Sequence, residues 1–342
     1  MNPRRGLSCH PHRLPRVRAS VRGLKLLGAY VTRFEAPVLL AVLRGRASDT
    51  QECERLLARL THRVFTEGLR RAGLTLDTGG GLPLPAPDRP VLLLMRHSGP
   101  LNFHLAGLLG CHLLGRGLLS VGRTLPGLDP AVGLLVRRLR VDLIRWNRSG
   151  PARAMRVLIH HSRDMGLRDV LAYFPEGVNM TAAGRRRSLA ALDRADPERA
   201  RWARKLRHVL PPVSAGAARV LSQATEADVL VVGHTGLEDL VGGVVDIGYP
   251  PPPVDDRRIH LTWWHTRAED VPREPAAAAA WLDGQWAAMD EWIARKRGAP
   301  GPAPEEVPAP DVPYTPDIPC TPDVPYDPYI RNRTPVGGPG HD

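Results

Sequence analysis

Between residues 47 and 297 the spacing of apolar positions changes repeatedly. Over SDTQECERLLARLTHRVFTEGLRRAG (48–73), Cys53, Leu56, Leu57, Leu60 and Val64 recur every three or four residues, which places them on one face of a helix. Ser48 or Asp49 supplies the capping oxygen at its start. Short apolar runs then follow as strands: VLLLM (91–95), LLSV (118–121), VDLI (141–144), VLAYF (170–174), DVLVVGH (228–234) and IHLTWWH (259–265). Helical patterns separate several of them, at 102–114, 130–139 and 151–164, the last with proline in its first turn. Strand and helix in alternation predict an α/β fold with a mostly parallel central sheet flanked by helices. The run PREPAAAAAWLDGQWAAMDEWIARKRG closes the region as a helix, with Lys and Arg in its last turn and Gly298 as its stop.

The flanks follow other patterns. In residues 1–46, Val17, Val21, Leu24, Gly28 and Val31 share a helical face opposite Arg18, Arg22 and Lys25, the pattern of an amphipathic helix lying in a membrane interface. A second apolar segment, FEAPVLLAVL (34–43), is placed to lie beside it. Packing of both segments on the core is the alternative reading. Residues 298–342 hold thirteen prolines and the loose repeat VPYTPDIPCTPDVPYDPY. Proline at this density opposes both helix and sheet, so the segment reads as a disordered tail. Its tyrosines offer a docking motif for a tail-binding protein, and a plain solvated extension is the other reading. The expected organisation is therefore a membrane-associating segment (1–46), one catalytic-sized domain (47–297) and a tail (298–342).

Charge sharpens this division. The net charge is +12, but residues 1–46 carry ten Arg or Lys against one acid, whereas 298–342 carry two Arg against seven acids. Such a balance points to an anionic partner such as a membrane surface, a phosphorylated substrate or coenzyme A. A nucleic-acid role is not expected, because no stacking-aromatic strand motif or DNA-reading helix accompanies the basic residues. The four cysteines have no paired spacing, and His104, Cys111, His112, His160 and His161 fit no usual zinc pattern. Neither a metal nor a disulfide framework is expected, and a reducing cytoplasmic setting fits. No secretory signal is expected, and no apolar run is long enough to span a bilayer.

The chemistry gathers at two strand ends. LLLMRHSGPLNFHLAG (92–107) runs an apolar strand into His97, then through a turn to Asn102. YFPEGVNMT (173–181) ends another strand with Glu176 and Gly177. Strand ends are where open α/β sheets keep their ligands. A neutral imidazole there suits the removal of a hydroxyl proton at cellular pH. The N–H groups at the start of the helix after Pro100 are placed to stabilise an oxyanion. Ser98 lies outside any Gly-x-Ser-x-Gly elbow, so a serine hydrolase is not expected.

These blocks resemble the glycerolipid acyltransferases, the 1-acylglycerol-3-phosphate acyltransferase family, and the match looks closest to the actinobacterial branch. RHSGPLN is similar to the family's His-x-x-x-x-Asp motif, FPEGVNMT to its Phe-Pro-Glu-Gly motif, and LRHVLPP (206–212) to its proline-containing motif. VGHTGLEDL (232–240) and HLTWW (260–264) are similar to further family segments. The resemblance implies an enzyme that transfers a fatty acyl group from acyl-CoA or acyl carrier protein to a lysophospholipid acceptor, without a bound cofactor. It implies His97 as base, and a role for Glu176 in orienting a glycerol hydroxyl or supporting its neighbours. It implies Gly177, Pro211 and Pro212 at the acceptor or acyl pocket, and an arginine on the acceptor phosphate, for which VDLIRWNR offers both Arg145 and Arg148. Guanidinium groups bind phosphate oxygens bidentately. The segment 184–208, with nine Arg or Lys against three acids, is a candidate for coenzyme A phosphates or lipid headgroups. Asn102 departs from the family's aspartate. Its carbonyl oxygen can accept Nδ1–H of His97, or its NH₂ can turn to donate to Nδ1, and only the first leaves Nε2 as the base. The second reading of the chain is a catalytically weak homologue that binds lipid or scaffolds a partner.

Overall fold

A computed structural model describes residues 28, 30–71, 73–79, 85–99, 101–123, 130–144, 149–240 and 258–298. Helix α1 (Ala36–Leu43) follows a π-helical stretch at Tyr30–Glu35, and α2 (Thr50–Arg63) runs on through a π-helical turn and ends at Arg71. Strands β1 (Thr75–Asp77) and β2 (Val91–Met95) precede α3 (Asn102–Gly107), which continues as a π-helical stretch to Leu113. Then come β3 (Gly117–Arg123), α4 (Pro130–Leu135), β4 (Arg140–Ile144), α5 (Gly150–Arg163) and β5 (Asp169–Tyr173). The chain proceeds through α6 (Ala182–Ala195), α7 (Pro197–Ala203), α8 (Ser214–Gln223), β6 (Asp228–Thr235), β7 (Arg258–Thr266) and α9 (Pro275–Arg297).

The strands form one seven-stranded sheet in the order β1-β7-β6-β2-β5-β3-β4. All neighbouring pairs are parallel except β6 with β7, so β1 and β7 run against the other five. Every residue of β2, β5 and β6 is buried, which is why these strands read as continuous apolar runs without alternation. One core packs α2 and α3 on one face through Leu57, Leu60, Leu105 and Leu93. The other face is covered by α8 and α9 through Leu94, Val231, Val220, Leu282 and Trp286.

The helix caps follow the sequence. Asp49 caps α2 by accepting from the N–H of Glu52 at 2.8 Å, and α9 stops at Gly298, whose φ of 62° suits a residue without Cβ. Three expectations shift. The helix over 102–114 is regular only to Gly107 before becoming π-helical, and the helix over 130–139 stops at Leu135. Three-residue β1 and helices α7 and α8 were not anticipated, and the basic run at 185–187 lies on helix α6. The amphipathic face at residues 17–31 and the tail lie outside the described residues, apart from the last positions of that face. No described helix is long and apolar enough to cross a membrane.

Candidate functional site

His97 stands just beyond the C-terminal end of β2, at the centre of the sheet. The loop that carries it is held from three sides. Arg96, fully buried, donates its backbone N–H to Val232 O at 3.1 Å. Its guanidinium donates to the carbonyls of His234 (2.5 Å) and His208 (2.6 Å) and to Glu238 Oε1 (2.9 Å). The carbonyl of His97 accepts from the N–H of Met180 at 2.8 Å, which hooks the segment after β5 onto the loop of His97. Gly99 has φ of +94°, and a Cβ there would lie 2.7 Å from the backbone carbon of Leu237. Only glycine allows the two loops to approach this closely.

The imidazole of His97 meets the Phe174 ring edge-on, with centroids 4.9 Å apart. Burial pushes its pKa below the ordinary value, opposed by the Val178 carbonyl, which favours the protonated ring. The neutral form required of a base is thus the favoured one. Nδ1 of His97 is buried and makes no hydrogen bond among the described residues.

Asn102, 6% exposed at the start of α3, does not bond to His97. Its NH₂ donates to the Gly99 carbonyl at 3.0 Å and to Asn179 Oδ1 at 3.2 Å. Its own Oδ1 is buried without a partner among the described residues.

Glu176 lies beneath the loop, 2% exposed. Its Oε1 accepts from Trp286 Nε1 of α9 at 3.1 Å, while Oε2 makes no hydrogen bond of ordinary geometry. The backbone N–H groups of His97 and Leu210, and the charge of Arg96, favour its ionised form, but burial outweighs them and pushes its pKa up to about 8. The carboxyl of Glu176 lies between the loop of His97 and α9.

Gly177 turns the chain at φ of +70° and is exposed beside the site. Pro211 and Pro212 are buried on the approach to α8, and the Pro212 carbonyl accepts from Arg199 at 2.7 Å. Just upstream, Asp290 of α9 accepts from the N–H groups of Arg207, His208 and Val209 at 2.6–3.2 Å. Motifs far apart in the chain are thereby gathered around one strand end. Arg145 and Arg148 lie outside the described residues.

The residues that sequence spacing did not single out form the foundation of this site. Arg297, at the end of α9, donates to Thr235 Oγ1 (3.0 Å), Glu238 Oε1 (3.4 Å) and both carboxylate oxygens of Asp239 (3.2 Å). With Arg96 it makes a buried network of two guanidinium and two carboxyl groups. Burial pushes His208 and His234, next to this network, down to about 4, and the positive charge of Arg96 adds to the effect. Both are neutral at cellular pH. The described residues contain no cluster able to hold a metal ion.

No protein-family model matches the sequence, and no curated protein is significantly similar to it. Among solved structures, the fold is similar to that of the 1-acyl-sn-glycerophosphate (LPA) acyltransferase PlsC from Thermotoga maritima, with a TM-score of 0.53 and 13% identity over 83% of this chain and 98% of that one. The chain therefore has the α/β fold of a glycerolipid acyltransferase.

Proposed function

We propose that the protein is a glycerolipid O-acyltransferase that moves a fatty acyl group from acyl-CoA or acyl carrier protein to a lysophospholipid, 1-acylglycerol-3-phosphate-like acceptor in phospholipid biosynthesis. The observation that carries this reading is the neutral His97 at the end of the central strand of a PlsC-like sheet, with the FPEG turn hooked to it through Met180. In the step proposed, His97 takes the acceptor's hydroxyl proton as its oxygen attacks the thioester carbonyl. A C–O bond forms, the C–S bond breaks, and the thiolate leaves and recovers the proton from the imidazolium. Glu176 holds the base in place, Gly177, Pro211 and Pro212 border the acceptor or acyl chain, and Arg145 or Arg148 receives the acceptor phosphate. No cofactor takes part.

The enzyme would work at the inner face of the cell membrane, on an anionic lipid surface. Supporting this, α1 exposes Leu40 and Leu43, the latter at 80%, beside Arg44 and Arg46. One observation favours the second reading, a weak homologue that binds lipid or a partner: position 102 carries no carboxylate, and Asn102 makes no hydrogen bond to His97. Thiol release from acyl-CoA with a panel of lysolipids decides between them. The enzyme reading expects acceptor-dependent release that is abolished in His97→Ala. Release unaffected by that substitution removes His97 from the mechanism, and lipid binding without release favours the homologue.

A further inference from the structure

We propose that Asn179 is a positioning residue for His97, acting through Asn102: it locks the Asn102 amide so that the carbonyl oxygen, and not the NH₂, is presented to His97 Nδ1. The proposal rests on the acyltransferase reading, and it specifies how an asparagine serves at this position.

An amide flip exchanges a donor for an acceptor. Here both NH₂ bonds go to acceptors, the Gly99 carbonyl at 3.0 Å and Asn179 Oδ1 at 3.2 Å. Flipping Asn102 would set its oxygen against the Gly99 carbonyl, which has no proton to offer. It would also force Asn179 to turn. That leaves Oδ1 of Asn102 as a buried acceptor without a partner, five residues from the buried and equally unpartnered Nδ1 of His97. A buried polar atom left unpaired costs about 1–3 kcal/mol, and such atoms in a native structure call for an explanation. One is a donor when protonated and the other an acceptor, so a bond between them would satisfy both, in competition with the Val178 carbonyl for the proton of the ring. The proton then rests on Nδ1 and the Nε2 lone pair is the base.

Asn179 is well anchored for this task despite its exposure. The next residue, Met180, donates its N–H to the His97 carbonyl at 2.8 Å, and Thr181 caps α6 by accepting from Gly184 N at 2.9 Å. The lock therefore sits on backbone that is tied to the histidine it serves.

The test uses the full chain labelled with ¹⁵N-histidine at pH 8, with the His97 signals assigned by their loss in His97→Gln. In the parent and in Asn179→Asp, which keeps the acceptor, the shifts should show protonated Nδ1. Asn179→Ala should mix the tautomers and lower kcat about tenfold, the effect of losing one hydrogen bond of ~1.4 kcal/mol. Because a carboxylate cannot be misoriented, the same alanine substitution in an Asn102→Asp background should change kcat no more than about twofold. A parent protonated on Nε2, or a tautomer unmoved by Asn179→Ala, overturns the proposal and leaves the Val178 carbonyl as the group that sets it. The tautomer is read without turnover. Absence of acyl transfer in a parent with the expected tautomer therefore counts against the acyltransferase reading alone.

Discussion

The substitution Glu176→Gln should stabilise the protein at neutral pH and above, although it removes a carboxylate from the centre of the FPEG turn. Burial raises the folded-state pKa to about 8 from an ordinary 4.5. An acid whose pKa is raised on folding binds more protons folded than unfolded between those two values, so stability falls as pH climbs through that window. At 1.36 kcal/mol per pKa unit, the stability advantage of Glu176→Gln over the parent should grow by about 3 kcal/mol between pH 5 and pH 8. Half that size would still be readily measured. The amide oxygen of the substituted side chain keeps the bond from Trp286 Nε1, and its NH₂ replaces Oε2, which makes no hydrogen bond of ordinary geometry; the repulsion between that NH₂ and the N–H groups of His97 and Leu210 is the same at every pH and leaves the slope of the difference unchanged. The assay is urea unfolding of both proteins from pH 5 to 8. Other titrating groups cancel in the difference between the two curves. A difference that is flat with pH, or that favours the parent at pH 8, would falsify the claim that the buried carboxyl is largely protonated in the native state.

Two further substitutions test the foundation of the site. Gly99→Ala should cost about 3 kcal/mol or more, because φ of +94° strains any other residue and the new methyl would meet Leu237 backbone carbon at 2.7 Å; a melting temperature within a degree of the parent would refute this. A chain ending at Gly298 should keep the parent's stability, whereas one ending at Lys296 should lose about 3 kcal/mol, since removing Arg297 leaves Asp239 and Glu238 buried with less compensation. Equal urea midpoints for the two truncations would show that Arg297 contributes nothing.

The central strands and the two motifs at their ends were legible because burial on both faces writes a continuous apolar run, and His97 and Glu176 interrupt it with polar residues. Helices α6 to α8 were harder to read: α6 buries only Gly184 completely, so no clear apolar stripe marks it. Strand β1 is three residues long, with no fully buried position to mark a period. The burial of Arg96 was hidden because its partners His208, His234 and Glu238 lie 112 to 142 residues away. The same distance in sequence hid Trp286, Asp290 and Arg297, three residues of α9 that reach the site from a helix whose own pattern marks a buried face but not what that face meets. The sequence left open which atom of Asn102 faces His97. Spacing along a chain cannot decide an amide's orientation, and here it depends on Asn179, 77 residues away.

The lack of a carboxylate at position 102 has to be weighed against the chemistry proposed. In the serine-protease triad an Asp-to-Asn change lowers kcat about 10⁴-fold, since the histidine ends in the wrong tautomer and its charged form loses a partner. The first loss is averted here if the Asn102 amide is locked. The second remains, but the leaving group differs. An amine must be protonated to depart, so a protease needs a well-stabilised imidazolium that persists until it donates. A thiol ionises near pH 8.5, so a thioester can expel thiolate directly, and the departure of the leaving group does not wait on proton donation from the imidazolium, which gives up its proton afterwards. Leaving out the carboxylate also leaves burial free to hold His97 neutral, whereas a nearby negative charge would raise its pKa and diminish the free base at mildly acidic pH. In the reaction proposed, asparagine at this position would weaken stabilisation of the charged transition state and keep more of the base available, a compromise better suited to thioester donors than to amides.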